Sequence, residues 1–416
     1  MNRGPSFLKG GFRPFFLGGA LWALVVAGLW VAALSGSITL PTAFDPLAWH
    51  RHEMLFGYLG AVIAGFLLTA IPNWTGRLPV AGGRLAALAG LWLAARVAVL
   101  FSAYVGGIAA MVLDVGFVLA LFAVAAREVI VARNRNLPMI AILLLFAIAN
   151  GIDHAEALGL IADDGHGWKA GFALVLMLIS LIGGRIIPSF TRNWLVKQGV
   201  TTGLPSQPDH FDKAALAATA AALLGWLVAP ELVAAGLLLV AAGVLQAIRL
   251  ARWSGVRTGR EPIVVILHVA YAWLPLGLVL LGASILTPGI PRSVALHALS
   301  TGAMASMTLA VMTRAPPGHT ARALRADAAT IAIYVLVTLG AATRVGAPFL
   351  PFDYMRAIVL AGGPWGGAFP PVGLVYRPEL LNGPAGRPGP PRPVRKGCGP
   401  ASWSSPQRDR PLRCGR

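Results

Sequence analysis

A chain of 416 residues that is 56% apolar and only 12% charged, with a mean hydropathy of +0.71, lies outside the range of soluble globular proteins. Its formal charge of +18 comes from basic residues in short segments between apolar runs, so the charge reports topology, and nucleic acid is excluded as a partner. The two cysteines, Cys398 and Cys414, stand in the terminal tail, which excludes a thiolate metal site or an iron–sulfur cluster in the core.

The composition predicts an all-α polytopic integral membrane protein. Runs near the length that crosses a bilayer are read at 15 to 35, 51 to 71, 84 to 102, 105 to 126, 137 to 153 and 168 to 188. They continue at 213 to 229, 231 to 250, 263 to 285, 294 to 313, 328 to 348 and 356 to 376, making about twelve transmembrane helices within residues 1–376. The first run follows Arg13 and lacks a small-residue cleavage site, so it is expected to be retained. Prolines 364, 370 and 371 interrupt the last run. From Arg377 the chain becomes a Pro-, Gly- and Arg-rich tail that cannot bury a core and is read as disordered or as out-of-frame translation.

Basic residues test this parse. Arg3, Lys9 and Arg13 precede the first span, and alternate loops then hold Arg77 and Arg84, Arg127 to Arg135, Arg185 to Lys213, Arg249 to Arg260 and Arg314 to Arg325. The intervening loops carry few, and the one from Asp153 to His166 is acidic. Both termini are therefore expected in the cytoplasm.

The second run opens as WHRHEMLFGY and stays uncharged from Leu55 to Ile71. At about 1.5 Å per residue, His50 to Ile71 forms a rod of about 33 Å, with metal-capable side chains at one mouth. His50 and His52 lie beside Glu53, yet at about 100° per residue they diverge by about 200° and are expected to serve different faces. With His154, His166 and His297 they lie toward the outer face, whereas His268 sits nearer the inner one and His319 and His210 fall in cytoplasmic loops. Spans two, six and ten each begin near a histidine and end in proline with Thr and Arg, at IPNWTGR, IPSFTR and MTRAPPGHTAR, a pattern that would make the chain three four-helix repeats.

Ionisable groups within spans are functional hypotheses. Arg96 and Asp114 occupy a hairpin that could bring them to one depth, either as a structural ion pair or with Asp114 on a proton path. Arg185 and Arg192 in GGRIIPSFTRNW could bind a haem propionate or a lipid phosphate, since guanidinium suits paired oxygens, or could serve only as anchors at the inner end.

Taken together, GFRPFFL at 11 to 17, WHRHEMLFGY at 49 to 58, AGFLLTAIPNWTGR at 64 to 77, GGRIIPSFTRNWL at 183 to 195, LHVAYAWLPLG at 267 to 277 and HALSTGAMASMTLAVMTR at 297 to 314 resemble the NnrS family. The resemblance implies a bacterial inner-membrane protein of about twelve helices, embedded in the lipid bilayer, that contains haem and copper and is linked to nitric oxide metabolism and nitrosative stress during denitrification. His50, His52, His268 and His297 are the metal candidates on the matching motifs, with His319 next. Spans six and seven carry no histidine within the membrane, so an oxidase-type copper centre of three imidazoles is not evident. The alternative is a transporter of a small metabolite or metal complex, with His268, Arg96 and Asp114 along its path.

Overall fold

The computed structural model describes residues 6–319, 326–351 and 353–371, with side chains except at 315–319 and 354. The tail expected from Arg377 lies outside the described residues. Within them the chain is all helix and turn, and eleven helices are long and apolar enough to cross a membrane.

These are α1 (Phe12–Leu34), α2 (Pro46–Thr75), α3 (Gly83–Leu100), α4 (Gly107–Val131), α5 (Leu137–Ala157) and α6 (His166–Lys197). They continue as α7 (His210–Val228), α8 (Val233–Ala251), α9 (Pro262–Leu286), α10 (Arg292–Arg314) and α11 (Ala328–Phe349). The twelfth expected span is a helix, α12 (Tyr354–Gly367), of only 14 residues with Pro364 inside it. At about 1.5 Å per residue it falls short of the bilayer core.

Two sequence boundaries move for a physical reason. The expected stop at Pro188 is not a stop, because α6 runs through it as one helix of 32 residues. In a membrane a proline is tolerated inside a helix where hydroxyls and neighbouring helices satisfy the freed backbone groups. The expected end of span five at 153 also extends, so Asp153 and His154 belong to the last turn of α5 rather than to a loop.

Residues from successive helix ends meet: Trp30 near the end of α1, His50 at the start of α2, Trp168 at the start of α6, His297 at the start of α10 and Arg344 near the end of α11 line one cavity. The helices therefore alternate in direction and define a histidine end and an opposite, arginine-rich end. The most enclosed spans are α2 and α10, whose apolar windows are 72% and 67% buried, followed by α6 and α9, against 33% for α1, α4, α7 and α11. The core thus sits around α2, α6, α9 and α10.

Both α2 and α10 widen into π-helical turns, at Glu53–Tyr58 and Ala298–Met304, directly after His52 and His297. In α10 the Ser300 and Thr301 hydroxyls donate to the carbonyls of Leu296 and His297, at 2.7 and 2.6 Å, where the helix widens. Such turns re-aim side chains and frequently occur at functional sites. The α6 helix has none.

Polar ties hold the other half together. Buried Arg249 of α8 donates to Asp212 of α7 at 2.7 Å, to the Ser180 carbonyl of α6 at 2.9 Å and to the Tyr271 hydroxyl of α9 at 3.1 Å. Outside the spans, Asp209 and Asp327 cap α7 and α11. The hydrogen bond from Arg252 holds the Asp209 carboxyl well below the usual carboxylate range, and those from Thr330 lower Asp327.

Candidate functional site

The first turns of α2 and α4 and the last turns of α3 and α5 bring together a buried ionic cluster at the histidine end. His52 faces Asp153 Oδ2 through Nδ1 at 2.7 Å and Asp114 Oδ2 through Nε2 at 2.9 Å. His154 Nε2 meets the same Asp114 oxygen at 3.1 Å. Arg96 donates to Glu53 Oε2 at 2.7 Å and, through its other Nη, to Asp114 Oδ1, while Trp22 donates its indole N–H to Glu53. His52, Glu53, Arg96, Asp114 and His154 are completely buried.

An imidazole with carboxylate oxygens at both nitrogens donates from both, so His52 is held as an imidazolium. The charges then close: Glu53, Asp114 and Asp153 supply three negative charges, and Arg96, His52 and Arg51, which lies 3.8 Å from Asp153, supply three positive ones. Neutrality matters because an unpaired charge out of water is heavily penalised. Phe44 and Phe56 pack on His52 at ring distances of 5.0 and 5.2 Å and shut water out.

Glycine makes the approach possible. A Cβ on Gly57 would stand 2.5 Å from both Glu53 Oε2 and Arg96 Nη1, and one on Gly167 would collide with the Asp153 backbone. Glu156 fixes the same corner by accepting the His166 and Gly167 N–H groups that open α6, at 2.7 and 3.0 Å. Several buried polar atoms in this region stay unpartnered: His154 Nδ1, Glu53 Oε1 and both amide atoms of Asn150, one turn before His154. Ligand atoms of His52, Asp114 and His154 lie within 4.8 Å of one another, close enough to share a metal ion.

Next to the cluster lies a cavity of about 450 Å³, within the range of cofactor pockets. His50, Arg51, Met54 and Tyr58 of α2 face His297, Thr301 and Met304 of α10 across it, with Trp30, Trp168, Arg344 and Trp365 in its walls. His50 stacks on Trp30 at 4.9 Å with 16° between the rings, and its buried Nδ1 has no hydrogen-bond partner. His297 donates Nδ1–H to the Ser293 carbonyl at 2.6 Å, which leaves the Nε2 lone pair available. The arginine Arg51 lies over the Trp168 ring at 4.7 Å.

The residues singled out in sequence therefore fall into three groups. His50 and His297 meet at the cavity, and His52, Arg96 and Asp114 meet in the cluster. At the opposite end, His268 is hydrogen-bonded to Thr191 at 2.8 Å, Arg185 to Asn136 at 3.1 Å and Arg192 to the Pro205 carbonyl at 3.5 Å. The His319 side chain lies outside the described residues.

Asp153, His154 and Asn150 were not among the sequence candidates. Their spacing in NGIDHAEA, at i, i+3 and i+4 on one helical face, is the signal that marks them once α5 is extended.

Among curated proteins nothing matches the chain. The family described as NnrS protein matches residues 6–383, nearly the whole length, and its span covers every helix that builds the cluster and the cavity. The chain belongs to the NnrS family.

Proposed function

We propose that this chain holds haem in the cavity and copper in the ionic cluster, and that it handles nitric oxide at the histidine end. The observation that carries the reading is the convergence of His50 and His297, from the two most enclosed helices, on one cofactor-sized cavity just ahead of paired π-helical turns. Neutral imidazole lone pairs are haem ligands, aromatic walls suit a flat macrocycle, and Arg51 and Arg344 offer guanidinium groups to propionates. In the cluster, the His52 and His154 imidazoles with the Asp114 carboxylate would form a nitrogen–oxygen donor set suited to copper once the ion displaces the proton between His52 Nε2 and Asp114, and the unpartnered atoms of His154, Glu53 and Asn150 leave donors over. A bound haem supplies an iron that takes diatomic ligands, and copper a second redox centre.

The chain's own residues orient and exclude. Ser293 fixes the His297 ring so that Nε2 faces away from the bond it makes, and Trp30 holds the His50 ring flat. Asp153 keeps the proton on His52 Nδ1 and so orients the ring, and Phe44 and Phe56 keep water from it. With basic loops inside, the histidine end faces the outer side of the bacterial inner membrane, and the N-terminus lies in the cytoplasm. A transporter would need Arg96 and Asp114 along a path, but both are consumed in the cluster and neither lines the cavity.

The test is the optical spectrum and metal content of detergent-purified protein expressed with both cofactors supplied. His50→Ala and His297→Ala should lose the reduced-minus-oxidised haem signal, and His52→Ala and His154→Ala the copper, at matched folding. Protein that carries neither cofactor would overturn the reading.

A further inference from the structure

Below the histidine-lined cavity, toward the arginine-rich end, lies a second chamber of about 90 Å³. Leu59 lines both spaces, and where Met304 and Ala305 of α10 face the cavity, Met307 and Thr308 face the chamber. The two are therefore stacked along α2 and α10. They are divided by a hydrogen bond of 2.6 Å between the Tyr58 hydroxyl, which faces the cavity, and the Thr308 hydroxyl, which faces the chamber.

Chemically the chamber is unlike the cavity. Thr308 brings the one polar side chain to a wall otherwise made of aliphatic and aromatic residues and Gly183, and its hydroxyl is engaged with Tyr58 and with the Ala305 carbonyl at 2.9 Å. A water needs two or more polar partners to stay in such a space, so a polar or charged solute has nothing to bind. The volume is several times the roughly 10–15 Å³ that one water-sized molecule occupies by this measure, and apolar cavities of this kind stay dry and take up apolar guests. A drug-sized molecule is too large for it. Gas molecules dissolve in the hydrocarbon of the bilayer around the bundle, so they can arrive without crossing the histidine-lined cavity.

We infer that this chamber is a binding site for a small uncharged gas molecule, stored one helical turn from the histidine-lined cavity. That the stored gas serves the cavity rests on the function proposed above; the site itself does not.

Xenon is the probe, because it is apolar, uncharged and visible by anomalous scattering. Crystals of the full chain pressurised with xenon should show a peak between Leu59, Ile182 and Thr308. Val311→Phe and, separately, Leu178→Phe place a ring in the space and should each abolish the peak while the unfolding temperature stays near wild type. Haem-free His50→Ala protein should keep it, which separates this site from the cofactor reading. A wild-type chamber without xenon, a peak that persists in both filled variants, or density for an acyl or detergent chain in the chamber would overturn the inference.

Discussion

Arg96 is the group whose removal reports most directly on the ionic cluster. It is completely buried and bonds Glu53 and Asp114, in a set whose charges sum to zero with three on each side. Arg96→Met leaves the set at minus one, and an uncompensated buried charge costs about 3–5 kcal/mol. Glu53→Gln leaves it at plus one but keeps an acceptor near Arg96, so the loss is nearer the strength of one charged hydrogen bond, about 2–3 kcal/mol. The double variant is neutral again, because Asp114 and Asp153 then balance His52 and Arg51. It should be more stable than the summed single losses by about 1–3 kcal/mol, the coupling expected of contacting groups. The assay is a double-mutant cycle read by reversible unfolding in mixed micelles. Strict additivity, or a double variant as unstable as the sum, would refute the claim that Arg96 is retained to neutralise the cluster.

Further expectations concern the helices around it. Gly57→Ala forces a methyl against Glu53 and Arg96 and should destabilise by about 1–3 kcal/mol, seen as a lowered unfolding midpoint, whereas Gly36→Ala has open space around its Cβ and meets only the strain of its positive φ. Tyr58→Phe removes the bond to Thr308, which keeps its contact with the Ala305 carbonyl, so the loss should be about 1 kcal/mol in the same measurement. Asp327→Ala removes an N-cap of α11 and should cost about 1 kcal/mol, with Asp327→Asn close to wild type. For acid sensitivity, Asp209 and Asp327 both have folded values below their unfolded ones. Their contribution is therefore complete above the unfolded value of about 3.9 and fades as pH falls toward the folded values, so a pH titration of stability should lose less below about pH 4 in the Asp209→Asn/Asp327→Asn variant.

The membrane class, the helix count to within one and most span limits were legible in the chain because insertion depends on local hydropathy, a one-dimensional property that 56% apolar content makes plain. The divergence of His50 from His52 was legible too, since two residues on one helix differ in direction by a fixed angle, and the two side chains do point into different surroundings, one the cavity and one the cluster. What hydropathy does not encode is rotation about each helix axis and the choice of neighbours. Nothing local says that His297, 247 positions after His50, lies across the same cavity, or that His154 shares an oxygen of Asp114 with His52. Nor do the equal prolines and arginines of spans two, six and ten reveal that only two of them widen into π-helical turns. Those features depend on which faces pack, and packing is decided by contacts such as Gly57 against Arg96 and Gly167 against Asp153, where the absence of one carbon lets distant helices close. The sequence by itself determined a bundle of spans with polar groups at one end; the tertiary structure alone decided which of those groups share a site, because buried charge and imidazole find partners only across helices.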